Sequence, residues 1–247
     1  MKQIVLERFF DNVRKKGNQI AVQDPNNGTL TFRELAMWSG KVYQYLKRKG
    51  IGKEDFVVIC IPRSIFDIAA VIGVMRAGAA FTITETGIVP EQRLQYIIKD
   101  CNAKIVMNEQ CWKDIENEEL TEAFSGFDYC EVEPHDAAYA VYTSGSTGQP
   151  KGCLQEYGNY EYIIQSFFYD GKPCDDEDIF ANVTPMNVLT TIECLVCAML
   201  VGIVFNIVPL HLLREPAALA EYFAKYNITF TCLSPSLLRL LQEWGGV

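Results

Sequence analysis

Short apolar runs and longer stretches with a three-to-four-residue apolar rhythm alternate along this chain. Ile20-Ala-Val22 and residues 56–61 and 104–107 are compact and apolar, bounded by turn or charged residues, and predict β-strands. Tyr139-Ala-Val-Tyr142 and residues 203–208 and 228–231 predict three more. Between them the helical rhythm has recognisable ends. Thr31-Phe-Arg-Glu34 is a capping box, in which the hydroxyl accepts from the third amide while the glutamate reaches back. That helix carries Leu35, Val42 and Leu46 and stops at Gly50, where a left-handed cap costs little. A second starts near Ser64, carries Ile68, Val71, Ile72 and Met75, and ends at Gly78. Pro90 suits the first turn of a third, with Leu94, Ile97 and Ile98 on one face.

From Cys194 to Pro209 the chain is apolar but broken by Gly202 and Asn206, which reads as a buried helix and a strand, not a membrane span. Strand–helix alternation of this kind builds βαβ units. The fold class is therefore α/β, with mainly parallel sheets flanked by helices. The weakest order is expected around residues 116–126 and 171–178, where charge, glycine and proline gather.

Composition narrows the class. The chain has 247 residues, 49% of them hydrophobic, enough for a sizeable core. Its 22 basic and 31 acidic residues give a formal charge of −9, which disfavours non-specific binding to nucleic acid or anionic membrane. Neither partner is expected, although a local cluster of donors can still hold a phosphate. Nine cysteines lie at irregular places, several in apolar runs such as Cys60 and the Cys194-Leu-Val-Cys197 pair. Without a signal peptide they read as buried, reduced thiols of a cytoplasmic protein. Two histidines with no paired ligand spacing predict no metal site.

One stretch carries candidate chemistry: Ala138-Tyr-Ala-Val-Tyr-Thr-Ser-Gly-Ser-Thr-Gly-Gln-Pro-Lys-Gly152. An apolar strand runs into Thr143, Ser144, Gly145, Ser146, Thr147 and Gly148, then Lys151. Gly145, Gly148 and Gly152 permit positive φ and a close backbone approach to an anion. Four hydroxyls add donors and Lys151 a point charge, a set able to replace the hydration shell of a polyphosphate. This is not a Walker A loop, because Pro150-Lys151-Gly152 replaces its Gly-Lys-[Ser/Thr] and no helical pattern follows at once.

The ordered series Tyr142 to Gly152 resembles the phosphate-binding signature of the adenylate-forming (AMP-binding) superfamily. Leu30-Thr-Phe-Arg-Glu-Leu35 resembles an early box of the same family, and Val74-Met-Arg-Ala-Gly-Ala-Ala-Phe81 a box of peptide-synthetase members. Together they point to the amino-acid adenylation domains of non-ribosomal peptide synthetases. The resemblance implies that residues 1–247 are the N-terminal portion of the large lobe, in one or two α/β sublobes, with the C-terminal lobe absent. It implies ATP and Mg2+, a small carboxylic or amino acid as substrate, and a peptidyl or aryl carrier protein whose phosphopantetheine thiol receives the acyl group. Thr143, Ser144, Gly145, Ser146, Thr147, Gly148 and Lys151 would hold the leaving pyrophosphate; none is expected to act as a nucleophile.

Three departures from the family pattern shape the expectations. Glu156-Tyr157 stands where a Glu-His pair is usual, so an aromatic wall is kept and the histidine's role is not. Thr82-Ile-Thr-Glu85 keeps an acid but loses a proline, which is expected to alter a turn. The segment Met186-Asn-Val-Leu-Thr-Thr-Ile-Glu193 has no carboxylate where amino-acid-activating members hold the substrate ammonium: Asn187 or Leu189 stands there, by alignment from either end. Glu193 is a candidate pocket acid or a framework residue at a helix edge. The adenine-binding Tyr-Gly-Pro-Thr-Glu segment, the ribose-binding aspartate and the catalytic lysine are absent, so this chain alone is expected not to turn over. An acyl- or aryl-CoA ligase and a non-catalytic nucleotide-binding fragment are the alternatives.

Overall fold

The computed structural model describes residues 3–144, 149–168 and 174–244. The chain opens with α1 (Ile4–Lys16), β1 (Ile20–Asp24), β2 (Gly28–Thr31) and α2 (Phe32–Arg48). A strand–helix series follows: β3 (Phe56–Ile59), α3 (Ile65–Ala77), β4 (Ala80–Ile83), α4 (Glu91–Asp100) and β5 (Ile105–Met107). Helices α5 (Glu109–Glu116) and α6 (Glu122–Ser125) lead to the hairpin β6 (Ala137–Ser144) and β7 (Pro150–Glu156). The last third holds α7 (Asn159–Phe168), β8 (Ile179–Asn182), α8 (Leu189–Val201) and β9 (Val204–Ile207). It closes with α9 (Pro216–Lys225), β10 (Phe230–Thr231) and α10 (Pro235–Trp244).

The strands form two five-stranded sheets, ordered β10-β8-β9-β1-β2 and β5-β3-β4-β6-β7. Each is parallel except for one antiparallel edge strand, β2 in the first and β7 in the second. The chain starts one sheet, builds the whole of the other, and then returns. This is the expected mainly parallel α/β fold, divided between two sheets.

Helix α3 is apolar apart from Asp67 near its start and Arg76 near its end, and every residue but Phe66 is buried. A helix of that composition belongs in the middle of a protein. It packs on α2 and touches β1 and β2 of one sheet and β3 and β4 of the other. One continuous core therefore runs from Phe9 and Leu46 through Ile68 and Ile72 to Phe81 and Phe205. A smaller cluster under α9 and α10 gathers Val208, Leu219, Tyr222 and Leu241, and α4 covers Val58 with Ile97.

The capping signals are realised. Thr31 Oγ1 accepts from Glu34 N at 3.2 Å, and Glu34 Oε2 accepts from Thr31 N at 2.8 Å and from its hydroxyl at 2.9 Å. Ser64 and Asp67 form a second capping box, and Gly78 ends α3 in the left-handed region at φ 71°. The Thr31 bonds hold the Glu34 carboxyl below the usual carboxylate range. A lowered folded pKa means a contribution present above the unfolded carboxylate value and lost as pH falls through the folded one. Glu34→Gln is therefore expected to be less stable than wild type near pH 7, by less than about 1 kcal/mol on so exposed a site. Thermal unfolding at neutral and acid pH should show that gap close in acid; a gap independent of pH refutes the assignment.

Two expectations about order and burial change. Residues 116–126 are tied down rather than loose. Gln44 Nε2 donates to Glu119 O at 2.9 Å, Gln44 Oε1 accepts from Thr121 N at 2.9 Å, and Arg76 Nη2 donates to Gly126 O at 2.8 Å. Buried side chains from α2 and α3 supply the order that the local sequence lacks. Of the second stretch expected to be weak, residues 171–173 lie outside the described residues. All nine cysteines are free, but only Cys60, Cys194 and Cys197 are buried, and Cys153 on β7 is exposed. No helix among the described residues is long and apolar enough to cross a membrane.

Candidate functional site

Strand β6 pairs with the β4 strand on one side and returns through the hairpin as β7 on the other. The register sets Tyr142 opposite Gly152, Thr143 opposite Lys151 and Ser144 opposite Pro150. Directly opposed residues put their side chains on one face, with Cβ atoms about 5 Å apart. Thr143 and Lys151 are thus neighbours across the ladder, and both are exposed at the mouth of the hairpin. Gly145, Ser146, Thr147 and Gly148 lie outside the described residues, as does the side chain of Ser144.

Gly152 has a different reason from the one its motif suggests. It is not among the glycines with positive φ. A Cβ there would lie 3.0 Å from Cζ of Tyr142 and 3.2 Å from its hydroxyl oxygen, so the glycine leaves room for the ring. That ring is anchored on the far face of β6, its hydroxyl donating to Asp100 Oδ2 at 2.8 Å. Arg93 Nη2 donates to the Tyr142 carbonyl at 3.3 Å. Helix α4 therefore braces the root of the hairpin.

The other face of β6 looks toward α7. Tyr139 stacks between Phe81 and Tyr160, with ring centroids 5.6 and 5.9 Å apart. Burial raises the Tyr139 phenol, and the negative charge of Glu193 raises it further. Burial raises Glu193 as well. Tyr139 and Thr143 share one face of the strand, separated by roughly 13 Å at 3.3 Å per residue.

Asn187 lies in the turn before α8, partly buried; Leu189 is the first residue of α8 and is 38% exposed. Leu189 and Glu193, four residues apart, lie on one side of the helix. Leu189 stands at the surface, and Glu193 one turn on is half-buried. Tyr157, expected as part of an aromatic wall, is instead a core residue. It is fully enclosed, packs on Tyr160, and donates to the Ala79 carbonyl at 3.1 Å.

The turn before α8 is held by Asn182, Thr191 and Arg63, which stand in no motif, and by Glu85, which was expected only to border an altered turn. Asn182 Oδ1 accepts from the Thr184 amide and hydroxyl at 3.3 and 3.0 Å, and Thr191 Oγ1 donates to Pro185 O at 2.9 Å. From the other sheet, Arg63 Nη1 donates to Thr184 O at 2.8 Å and Nη2 to Asn182 O at 3.0 Å. Glu85 Oε1 accepts from Met186 N at 2.8 Å and lies 3.9 Å from Arg63 Nη1. Glu85 is 3% exposed, so the departure in Thr82-Ile-Thr-Glu85 does more than alter a turn. The available signal was an acid directly after an apolar strand, where an unpaired charge would be costly. Among the described residues no group of three or more His, Cys, Asp or Glu could hold a metal ion.

Two parallel sheets around a buried apolar helix, with a hydroxyl- and glycine-rich hairpin ending one sheet, define the class of the protein. Residues 9–246 match the family of the AMP-binding enzyme, and the chain belongs to that family. Among its relatives is surfactin synthase subunit 1 of Bacillus subtilis (strain 168), 30% identical over 226 residues. The nonribosomal peptide synthetase dtxS1 of Metarhizium robertsii is 31% identical over 260 residues. These alignments cover 88% and 95% of this chain but only 6% and 3% of those proteins. The N-terminal subdomain of NpsA from Klebsiella oxytoca, solved with anthranilyl-AMSN, superposes with a TM-score of 0.81 at 22% identity. VinN, solved with L-aspartate, superposes at 0.78 and 22%. The chain spans 62% of each of those two solved chains.

Proposed function

We propose that this chain is the N-terminal portion of an adenylation domain, in which a carboxylate attacks the α-phosphorus of ATP to give an acyl-adenylate and pyrophosphate. The observation that carries the reading is the hairpin. Thr143 and Lys151 stand face to face on the β6–β7 ladder, at either end of a sequence run of hydroxyl and glycine residues. Such donors would hold the β- and γ-phosphates in line and stabilise the charge that develops on the leaving pyrophosphate. The divalent ion that the family resemblance implies finds no cage of three or more His, Cys, Asp or Glu side chains among the described residues.

The acid would lie between this hairpin and the start of α8. Neither Asn187 nor Leu189 offers a carboxylate for an ammonium, whereas Glu193 is an acid on α8 one turn beyond Leu189. NpsA, solved with an anthranilyl ligand, and VinN, solved with L-aspartate, bracket the two substrate classes. An aryl acid needs no counter-charge at Asn187, while an amino acid would require Glu193 to supply one. The peptide-synthetase relatives favour a carrier-protein thiol as acceptor over coenzyme A.

Carboxylate-dependent ATP–pyrophosphate exchange across a panel of amino and aryl acids tests the reading, on this chain and on a version extended to the length of its solved relatives. Exchange in the extended version supports it, and the panel names the acid; no exchange in either rejects it. Lys151→Ala is expected to weaken ATP binding about 10- to 100-fold, the loss of one charge-assisted contact. Because Lys151 is exposed, the melting temperature should not move. Unchanged ATP affinity with a lowered melting temperature would make Lys151 a structural residue.

A further inference from the structure

The segment that leads into α8 belongs to one sheet, and the hairpin to the other. Asn182 ends β8, and the chain passes through Thr184, Pro185, Met186 and Asn187 to α8. The hairpin extends β6, which pairs with β4 through Phe81 and Tyr139. Glu85 follows β4 by two residues and reaches across to the Met186 amide. A single chain of rigid parts therefore runs from hairpin to β6, to β4, to Glu85, to Met186 and so to Asn187 and α8.

Arg63 completes the brace. It follows β3, the strand paired with β4 on its other side, and its guanidinium takes up the carbonyls of Asn182, Thr184 and Val208. Glu85 Oε1, 3.9 Å from Nη1, supplies compensating negative charge. Asp67 is fully buried, and burial holds its carboxyl well above the usual range while Oδ2 accepts from Ser64 N at 2.8 Å. Glu85 Oε2 finds no hydrogen-bond partner among the described residues. A carboxylate kept at 3% exposure with one oxygen unsatisfied is expensive for packing alone.

We propose that Glu85, braced by Arg63, is the positioning residue that sets the acid-binding turn 185–189 against the phosphate hairpin. The inference rests on the adenylation reading above and deepens it. In-line attack needs the acid and the triphosphate at one fixed separation, and a misplacement of about 1 Å costs on the order of a hundredfold in rate. The two substrate-gripping segments belong to different sheets, and the Glu85–Met186 bond is the direct tie from the β4–β6 side to the turn.

Glu85→Ala removes the acceptor and the charge. Glu85→Gln keeps a carbonyl for the Met186 amide and loses only the charge. In the extended full chain, Glu85→Ala should lose about tenfold to a hundredfold in kcat/KM for the acid, with KM for ATP within about twofold of wild type. Glu85→Gln should fall between the two, and it serves as the readout if the alanine variant does not fold. Hydrogen exchange supplies a signal independent of turnover. Amides around Met186 should lose protection in Glu85→Ala while β3, β4 and the hairpin keep theirs.

Wild-type exchange with unchanged acid parameters in both variants overturns the positioning role. So does an equal loss for acid and ATP with protection falling everywhere, the pattern of a merely structural residue. An inert wild type in the extended chain overturns the adenylation reading itself, and with it this role. The first two failures leave that reading standing, which keeps the cases apart.

Discussion

Arg76→Met is expected to lower the unfolding free energy by about 3–5 kcal/mol, with the damage concentrated in residues 120–130. Arg76 is fully buried on α3, and its guanidinium is spent on acceptors that have no alternative. Nε donates to Asp128 O at 3.0 Å, Nη1 to Ala36 O and Ser39 Oγ at 3.2 and 3.3 Å, and Nη2 to Phe124 O and Gly126 O at 3.3 and 2.8 Å. The rings of Phe10 and Tyr43 flank the charge, each centroid 5.2 Å from Cζ. Burial pushes the guanidinium down to about 10, which leaves it charged at neutral pH.

Methionine fills much of the volume but donates nothing, so buried carbonyls are left at about 1–3 kcal/mol each. The cost stays below that sum because the segment at 124–128 can detach from α2 and regain water. Lysine should recover only part of the loss, since one ammonium cannot reproduce the planar fork. Denaturant unfolding with hydrogen exchange checks both statements. A loss under about 1 kcal/mol, or protection lost evenly over the chain, would show that these bonds carry little net stability.

What was legible in the sequence was local. Thr31-Phe-Arg-Glu34 and Ser64 announce their helices because a cap is an interaction over three residues, and Gly78 announces an end because few other residues enter the left-handed region cheaply. Helix α1 is legible in the same way, since Val5, Phe9 and Val13 recur every four residues, together with Leu6 and Phe10. Strand β7 was not readable. Pro150, Lys151 and Gly152 open it, most of it is exposed, and only its ladder with β6 makes it a strand. The division into two sheets was hidden for the same reason, since β1 pairs with β9 across most of the chain.

The candidate site divides along that line. The hydroxyl-rich loop is one contiguous string, and its chemistry can be listed from the residues in order. The brace cannot, because Glu85 meets Met186 across 101 residues and Arg63 meets Thr184 across 121. The motif names Gly152, while the Tyr142 ring that lies against it comes into view only with the opposite strand. Residues 116–126 show the converse error. Their composition suggests a loose loop, and the order comes from Gln44 and Arg76, which lie far away in sequence.

Gly73→Ala is the second large effect, expected to destabilise by about 2 kcal/mol or more although alanine is the better helix former. A Cβ at Gly73 would stand 2.4 Å from both Cβ and Cγ1 of Val42 and 3.0 Å from the Ser39 carbonyl. Both neighbours belong to α2, and Val42 is itself buried without room to turn away. The clash can be relieved only by moving α3 from α2, and α3 is also pressed against strands of both sheets. The gain in helix propensity, about 1 kcal/mol, does not offset that strain. Moving the helices apart would also stretch the Arg76–Ser39 bond, because Ser39 faces Gly73 through its carbonyl and Arg76 through its hydroxyl. The two substitutions should therefore be less than additive: with Arg76 already replaced, Gly73→Ala should cost less than it does in wild type. Unfolding of the two single variants and the double variant measures the difference. Strict additivity would mean that α2 and α3 can separate at Gly73 without disturbing the arginine, and that the helix pair is not one mechanical unit.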